Sequence, residues 1–371
     1  MKSAPGRSNF PSSRPYPMEN DQTVRDCGEA APEFAKKACF IGGSPKSGTT
    51  LLVSLLDGHP RLLPFPEETA YLPTTRRKYL HAGRPAQMRH LMEMAESRLL
   101  FAEKPLPGNR DYSEFPREAF RRLFSATAMD PANASCDLLA LMMVCYARVL
   151  QRPLDEISRW IEKTPANRYC LDDLRATFPS AKIILTMRDP RAVLAAYLLR
   201  KRRQKLTFSF YDCVRNWRQS AHAALIHGQD ADHFLVVKFE DLLSRPEPVM
   251  QGVCRFLGVD FVESALIPTK AGRSWRGNAA GNERFDKVDT TPAERWRTVL
   301  QEPEIAWVEH FCREGMRKFG YEPVTSLSGP GAWLRKFPEE SWNDYVKGRR
   351  HALRDIWQGQ WKLPDSRRNQ P

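Results

Sequence analysis

Residues 40–52, Phe-Ile-Gly-Gly-Ser-Pro-Lys-Ser-Gly-Thr-Thr-Leu-Leu, constrain this chain more than any other stretch. A short apolar run ends in glycines, and a helical stretch with leucines 51, 52, 55 and 56 on one face follows. Strand, glycine turn and helix is the setting of a phosphate loop. A nucleoside triphosphate loop reads G-x-x-x-x-G-K-[ST]. Gly43 and Gly48 keep that spacing, but Thr49 stands where the lysine belongs. The lysine instead precedes the second glycine, at Lys46. The phosphate cradle is kept and the usual β/γ-phosphate contact is lost. The pattern points away from ATP and toward another phosphorylated donor.

The rest of the chain supplies the context such a loop needs. Residues 181–187 read as a second buried strand, running into Arg188-Asp189-Pro190-Arg191, where Pro190 suits the first turn of a helix. Residues 234–239 read as a third strand and 246–257 as an amphipathic helix closed by Gly258. The stretches 138–150 and 292–320 are helical, the latter burying Trp296, Leu300, Ile305, Val308 and Met316. Strands alternating with helices predict an α/β fold: a P-loop-type parallel β-sheet flanked by α-helices. Ligands on such sheets sit at the carboxyl ends of the strands, where the polar clusters of this sequence fall. The expected organisation is a disordered leader over 1–36, one domain over 37–323, and a basic, tryptophan-containing tail over 324–371. Residues 271–289, polar and rich in glycine and asparagine, read as a long loop.

Composition narrows the function classes. At 42% hydrophobic and 27% charged residues, the 371-residue chain carries enough apolar material for a real core. Its net charge of +13 suits anionic ligands, yet no zinc-finger, RNP or homeodomain pattern appears, so nucleic acid is not expected. No apolar run is long enough to span a bilayer, and residues 1–34 lack the apolar stretch of a secretory signal. The eight cysteines show neither C-x-x-C nor zinc spacing, which predicts reduced thiols and a cytoplasmic location. Asn133-Ala134-Ser135 fits a glycosylation acceptor, with nothing else to indicate secretion. No metal-ligand cluster stands out.

Four features then line up in order: the loop at Lys46 to Thr50, the paired carboxylates Glu67 and Glu68, Lys163 within Glu162-Lys163-Thr164-Pro165, and Arg188 after the second strand. This series resembles the sulfotransferases that use 3′-phosphoadenosine-5′-phosphosulfate (PAPS), in the branch holding bacterial and tyrosylprotein enzymes. Their P-[KR]-S-G-T-T-L loop is matched without a gap, and His59-Pro60 and Glu67-Glu68-Thr69 also match the tyrosylprotein branch, with one extra residue between them. The resemblance covers roughly residues 37–321, loosely over 71–129.

The resemblance implies that Pro45, Lys46, Ser47, Gly48, Thr49 and Thr50 bind the 5′-phosphosulfate, and that Lys46 and Lys163 stabilise charge at the bridging oxygen and sulfuryl group. Glu68 is the first choice for the general base and Glu67 the second. Arg188 is expected on the 3′-phosphate. Trp275, Arg276, Gly277 and Asn278 resemble the loop over the nucleotide. PAPS is then the donor, PAP the product, no metal is required, and the acceptor is a hydroxyl on a carbohydrate, tyrosine, lipid or small molecule. His59, Trp217 and Trp296 are expected to be structural.

The sequence departs from the family at Ala196 and Ala279, where serines are usual. Each lost hydroxyl removes a hydrogen bond to a charged group, typically about 1.5–3 kcal/mol. Arg191 is one candidate to compensate. Two alternatives follow: a PAP- or PAPS-binding protein of the same fold with weak catalysis, and a P-loop kinase, which Thr49 argues against.

Overall fold

The computed structural model describes residues 21–79, 81–95, 112, 114–204, 209–274, 291–326, 338 and 341–342. Its helices are α1 (Asp21–Ala35), α2 (Thr49–Leu56), α3 (Gly83–Ala95), α4 (Arg117–Met129), α5 (Leu138–Val149), α6 (Leu171–Thr177), α7 (Pro190–Gln204), α8 (Phe210–His227), α9 (Phe239–Ser244), α10 (Pro246–Leu257), α11 (Thr291–Glu294), α12 (Trp296–Val299) and α13 (Glu302–Lys318). Its strands are β1 (Ala38–Gly43), β2 (Leu62–Pro64), β3 (Arg159–Lys163), β4 (Lys182–Met187), β5 (Phe234–Lys238), β6 (Thr269–Lys270) and β7 (Arg273–Ser274).

The main sheet has the order β2-β3-β1-β4-β5, with every pairing parallel. All five carboxyl ends therefore lie on one edge. Register carries Ile41 beside Lys163, Gly43 beside Thr186, and Met187 beside Lys238. Apolar residues on both sides of β1 explain why that strand reads as a continuous hydrophobic run. Phe40 packs edge-on against Trp160 on one side, and Ile41 joins Leu52, Leu55 and Leu56 of α2 on the other. The expected parallel α/β sheet is what the chain forms.

Several elements differ from the sequence expectation. Residues 21–35, placed within the disordered leader, form α1. It buries Cys27, Ala31 and Phe34 against the apolar helix α5. The Pro- and Ser-rich composition of residues 1–20 masked the helical spacing of those three residues. Strands β2 and β3 were not anticipated, because β2 is three residues long and β3 carries charges at Arg159, Glu162 and Lys163. The stretch 292–320 divides into α11, α12 and α13, and Gln301 and Glu304 form a reciprocal capping box at the start of the last. Residues 269–274, partly assigned to the long loop, make the β6–β7 hairpin.

Candidate active site

The phosphate loop bridges β1 and α2 and depends on two glycines. Gly48, with φ of 99°, precedes α2, and a Cβ there would lie 2.4 Å from Cδ2 of Phe239. Gly43, with φ of 150°, approaches Thr186 so closely that a Cβ would meet its hydroxyl at 2.5 Å. Both positions demand glycine for conformation and for room. Gly48 gives α2 no side-chain cap, and the first N–H groups of a helix have no partners within it. A helix end of that kind receives anions.

Two buried arginines brace the loop through its carbonyls. Arg168 Nη1 donates to Gly43 O at 3.0 Å and Arg188 Nη1 to Lys46 O at 2.8 Å. Lys46 itself has φ of 73°, a left-handed conformation rare for a residue with a side chain. Such strain collects at functional sites. Ser47 differs from its neighbours in the loop: its hydroxyl donates to Ser44 O at 2.6 Å and lies 2.6 Å from the hydroxyl of Thr186. That side chain closes the turn.

The electrostatics favour an anion. Burial pushes the Lys46 ammonium down to about 8, and the charges of Arg200 and Arg188 act in the same direction. Burial pushes Arg188 down to about 10, opposed by Glu240 and Asp189. Desolvation and neighbouring like charge both favour the neutral form of Lys46, and an anion bound beside it would favour the charged form. Arg188 is positioned by its surroundings: its guanidinium lies 4.3 Å from the Phe239 ring centroid, and its carbonyl accepts from Trp217 Nε1 at 2.7 Å.

The carboxylates separate clearly. Glu67 is buried and accepts at Oε1 from the Tyr112 hydroxyl and from Lys270 Nζ, both at 2.7 Å. Glu68 retains 29% side-chain exposure and accepts from Lys163 Nζ at 2.8 Å. Lys163 ends strand β3, and its side chain keeps only 6% exposure. The sheet therefore brings Glu68 and Lys163 into contact at the edge that also carries the loop and Arg188.

Other predicted residues fall elsewhere. Arg191 does not compensate for Ala196. It is held by Asp189 at 2.6 Å, by Glu309 at 2.7 Å and by Glu322 O at 2.9 Å. Asp189 thus pairs with Arg191. His59 is structural, with Nδ1 accepting from Arg61 N at 3.1 Å and Nε2 2.8 Å from Asp260 O. Trp275, Arg276, Gly277, Asn278 and Ala279 lie outside the described residues. No group of metal-ligating side chains occurs among the described residues.

Sequence reasoning assigned no role to Glu162, Thr69, Thr164 or Asn167. Glu162 is 1% exposed and accepts four hydrogen bonds, from Thr69 N, Thr69 Oγ1, Thr164 Oγ1 and Asn167 Nδ2. Burial raises its pKa, and those hydrogen bonds oppose the rise. A glutamate following Trp160 and Ile161 in a buried strand was the available signal.

A family model described as the Sulfotransferase family matches residues 39–263. Protein-tyrosine sulfotransferase 1 of Danio rerio is 26% identical over 278 residues, covering 72% of this chain and 65% of that protein. The chain thus spans just under two thirds of that relative's length. Protein-tyrosine sulfotransferase 2 of Gallus gallus is 25% identical over 333 residues, 83% of this chain and 76% of that protein. Among solved structures, the sulfotransferase domain of the Synechococcus PCC 7002 olefin synthase aligns with a TM-score of 0.51. It is 28% identical and covers 77% of this chain and 94% of that one.

Proposed function

The chain belongs to the sulfotransferase family, and on that premise we propose that it moves a sulfuryl group from PAPS to a hydroxyl acceptor. The observation that carries this reading is the Glu68–Lys163 contact, at the sheet edge that also carries a phosphate loop with Thr49 in place of the NTPase lysine. PAPS supplies the sulfuryl group. The residues present suit its two anionic ends: the Gly48 cradle and Lys46 on the 5′ side, Arg188 on the 3′ side.

Glu68 takes the proton of the acceptor hydroxyl as its oxygen bonds to sulfur. A carboxylate accepts through both oxygens, so Glu68 can keep Lys163 while receiving that proton. Lys46 and Lys163 hold the negative charge that develops when the bond from sulfur to the bridging oxygen breaks. Gly48, Thr49 and Thr50 place backbone and hydroxyl donors around the same group, Pro45 shapes the turn without a donor of its own, and Ser47 keeps the turn closed. Glu67 serves less well as the base, since its side chain is buried, where that of Glu68 keeps 29% exposure, and both Tyr112 and Lys270 donate to it.

Arg200 lies one helical turn beyond Ala196, and its charge acts on Lys46. It offers a cation where the usual serine is missing. Trp275, Arg276, Gly277 and Asn278 belong to the proposed nucleotide site on the resemblance alone. Peptide tyrosine is the first acceptor class to try, given that both relatives named above are tyrosine sulfotransferases. All eight cysteines are free thiols, which supports a reducing, cytoplasmic compartment.

The second reading, a PAP-binding protein with weak catalysis, rests on Ala196 and on the engagement of Arg191 elsewhere. Incubation with sulfur-labelled PAPS and panels of tyrosine peptides, oligosaccharides, phenols and lipid alcohols separates the two. Transfer to one panel, lost in Glu68→Gln, is the expected result. PAP binding without transfer to any panel overturns catalysis in favour of the second reading.

A further inference from the structure

We infer that Glu162 is a positioning residue for sulfuryl transfer, a buried carboxylate that fixes Glu68 and Lys163 against each other. This inference rests on the reading of Glu68 as the base. Side chains alternate along a strand, so Glu162 and Lys163 leave β3 on opposite faces while sharing one backbone. Glu162 Oε1 accepts from Thr69 N at 3.1 Å and Thr69 Oγ1 at 2.9 Å. Thr69 directly follows Glu68. The same oxygen accepts from Thr164 Oγ1 at 2.5 Å, and that hydroxyl in turn accepts from Ala70 N at 3.1 Å. Glu162 Oε2 accepts from Asn167 Nδ2 at 2.7 Å.

Two segments 93 residues apart are thereby tied through one carboxylate. On one side lie Thr69 and Ala70, and on the other Thr164 and Asn167. Ala70 has φ of 48°, a left-handed conformation that the surroundings must hold in place. Glu67 is anchored separately by Tyr112 and Lys270, so Glu68 stands between two fixed neighbours. Four donors converging on a buried carboxylate form a satisfied network, the kind that rigidifies a site. Such outer partners are what hold a reactive pair in productive geometry.

The experiment compares the full-length protein with Glu68→Gln, Glu162→Gln, the double variant, and Thr69→Val, which keeps the backbone donor. PAP affinity is read by calorimetry, and turnover as release of PAP from PAPS with a tyrosine peptide as acceptor. Glu162→Gln should hold PAP within about 2-fold of wild type and lose about 10-fold or more in kcat. Thr69→Val should lose less. The double variant should be slowed by clearly less than the product of the two single effects, because with Glu68 gone only Lys163 is left for Glu162 to position. A double variant slowed by the product of both single effects overturns the inference, as does loss of PAP binding in Glu162→Gln. Unchanged turnover in Glu68→Gln alone defeats the base assignment instead. A crystal structure of Glu162→Gln decides without turnover. Lys163 Nζ and Glu68 moved out of hydrogen-bond reach support the inference, and a pair still at the 2.8 Å of the parent overturns it.

Discussion

Lys163 Nζ and Glu68 Oε1 lie 2.8 Å apart, joined across 95 residues of sequence by strand β3 and the segment that follows β2. In the proposed reaction the carboxylate takes a proton and the ammonium receives charge, so their contact sets both in place. Glu68→Gln is expected to lower kcat by about 10²–10⁴-fold, the range for a general base. Lys163→Ala should also lower kcat, while PAP affinity changes less in both. Steady-state kinetics beside PAP calorimetry checks the split. Equal losses in affinity and in kcat would place the pair in donor binding.

Donor affinity should fall as pH rises through the Lys46 transition. The folded value of about 8 lies below the ordinary 10.5. Between those two values the unfolded chain holds a proton that the folded chain has lost, so fold stability rises with pH across that window. Anion binding runs the other way, since it requires the charged ammonium. From neutral pH to about pH 9.5, PAP affinity should drop about 10- to 30-fold, with proton uptake on binding at the higher pH. Titration in two buffers of different ionisation enthalpy reads that uptake directly. A flat profile would remove Lys46 from the anion site.

Arg188 and Arg191 should fail in different ways. Arg191→Ala leaves Asp189 and Glu309 buried without their cation, at a cost of about 3–5 kcal/mol. Arg188→Ala should abolish PAP binding while costing much less stability. Denaturant unfolding and PAP calorimetry on both variants give the comparison. Full PAP binding by Arg188→Ala would reverse the roles assigned here.

Gly48→Ala tests the cradle. Its φ of 99° suits glycine, and the added carbon would meet Phe239 at 2.4 Å. A left-handed non-glycine residue costs about 1–3 kcal/mol, and relief of the clash moves the ring beneath Arg188. A lowered Tm together with weakened PAP binding is expected. A variant with unchanged Tm and affinity would show that the loop has more room than its geometry indicates.

The loop, β1, α2 and β4 were legible because local pattern and tertiary role agree there. Glycine spacing, apolar runs and Pro190 each announce the element in which they sit. Lys163 and Glu68 could be named from motifs, but their contact arises from register: β3 is charged enough to hide as a strand, and parallel pairing sets Lys163 beside Ile41. What distinguishes Glu67 from Glu68, the contacts of Glu67 with Lys270 and Tyr112, comes from residues distant in sequence. Glu162 escaped notice because its partners are assembled by the same pairing. Helix α1 was lost to composition, although Phe34 at its end is buried and its carbonyl accepts from Trp160 Nε1 at 2.7 Å.

The central claim is that the displaced lysine and Arg188 make a site for a 3′,5′-bisphosphorylated nucleotide. Calorimetric titration of the full chain with PAP and with ATP–Mg²⁺, repeated with Arg188→Ala, tests it most directly. The account predicts micromolar PAP binding, about −8 kcal/mol, abolished by the substitution, with no comparable binding of ATP–Mg²⁺. Binding of ATP–Mg²⁺ in preference to PAP, or PAP binding indifferent to Arg188, would contradict it.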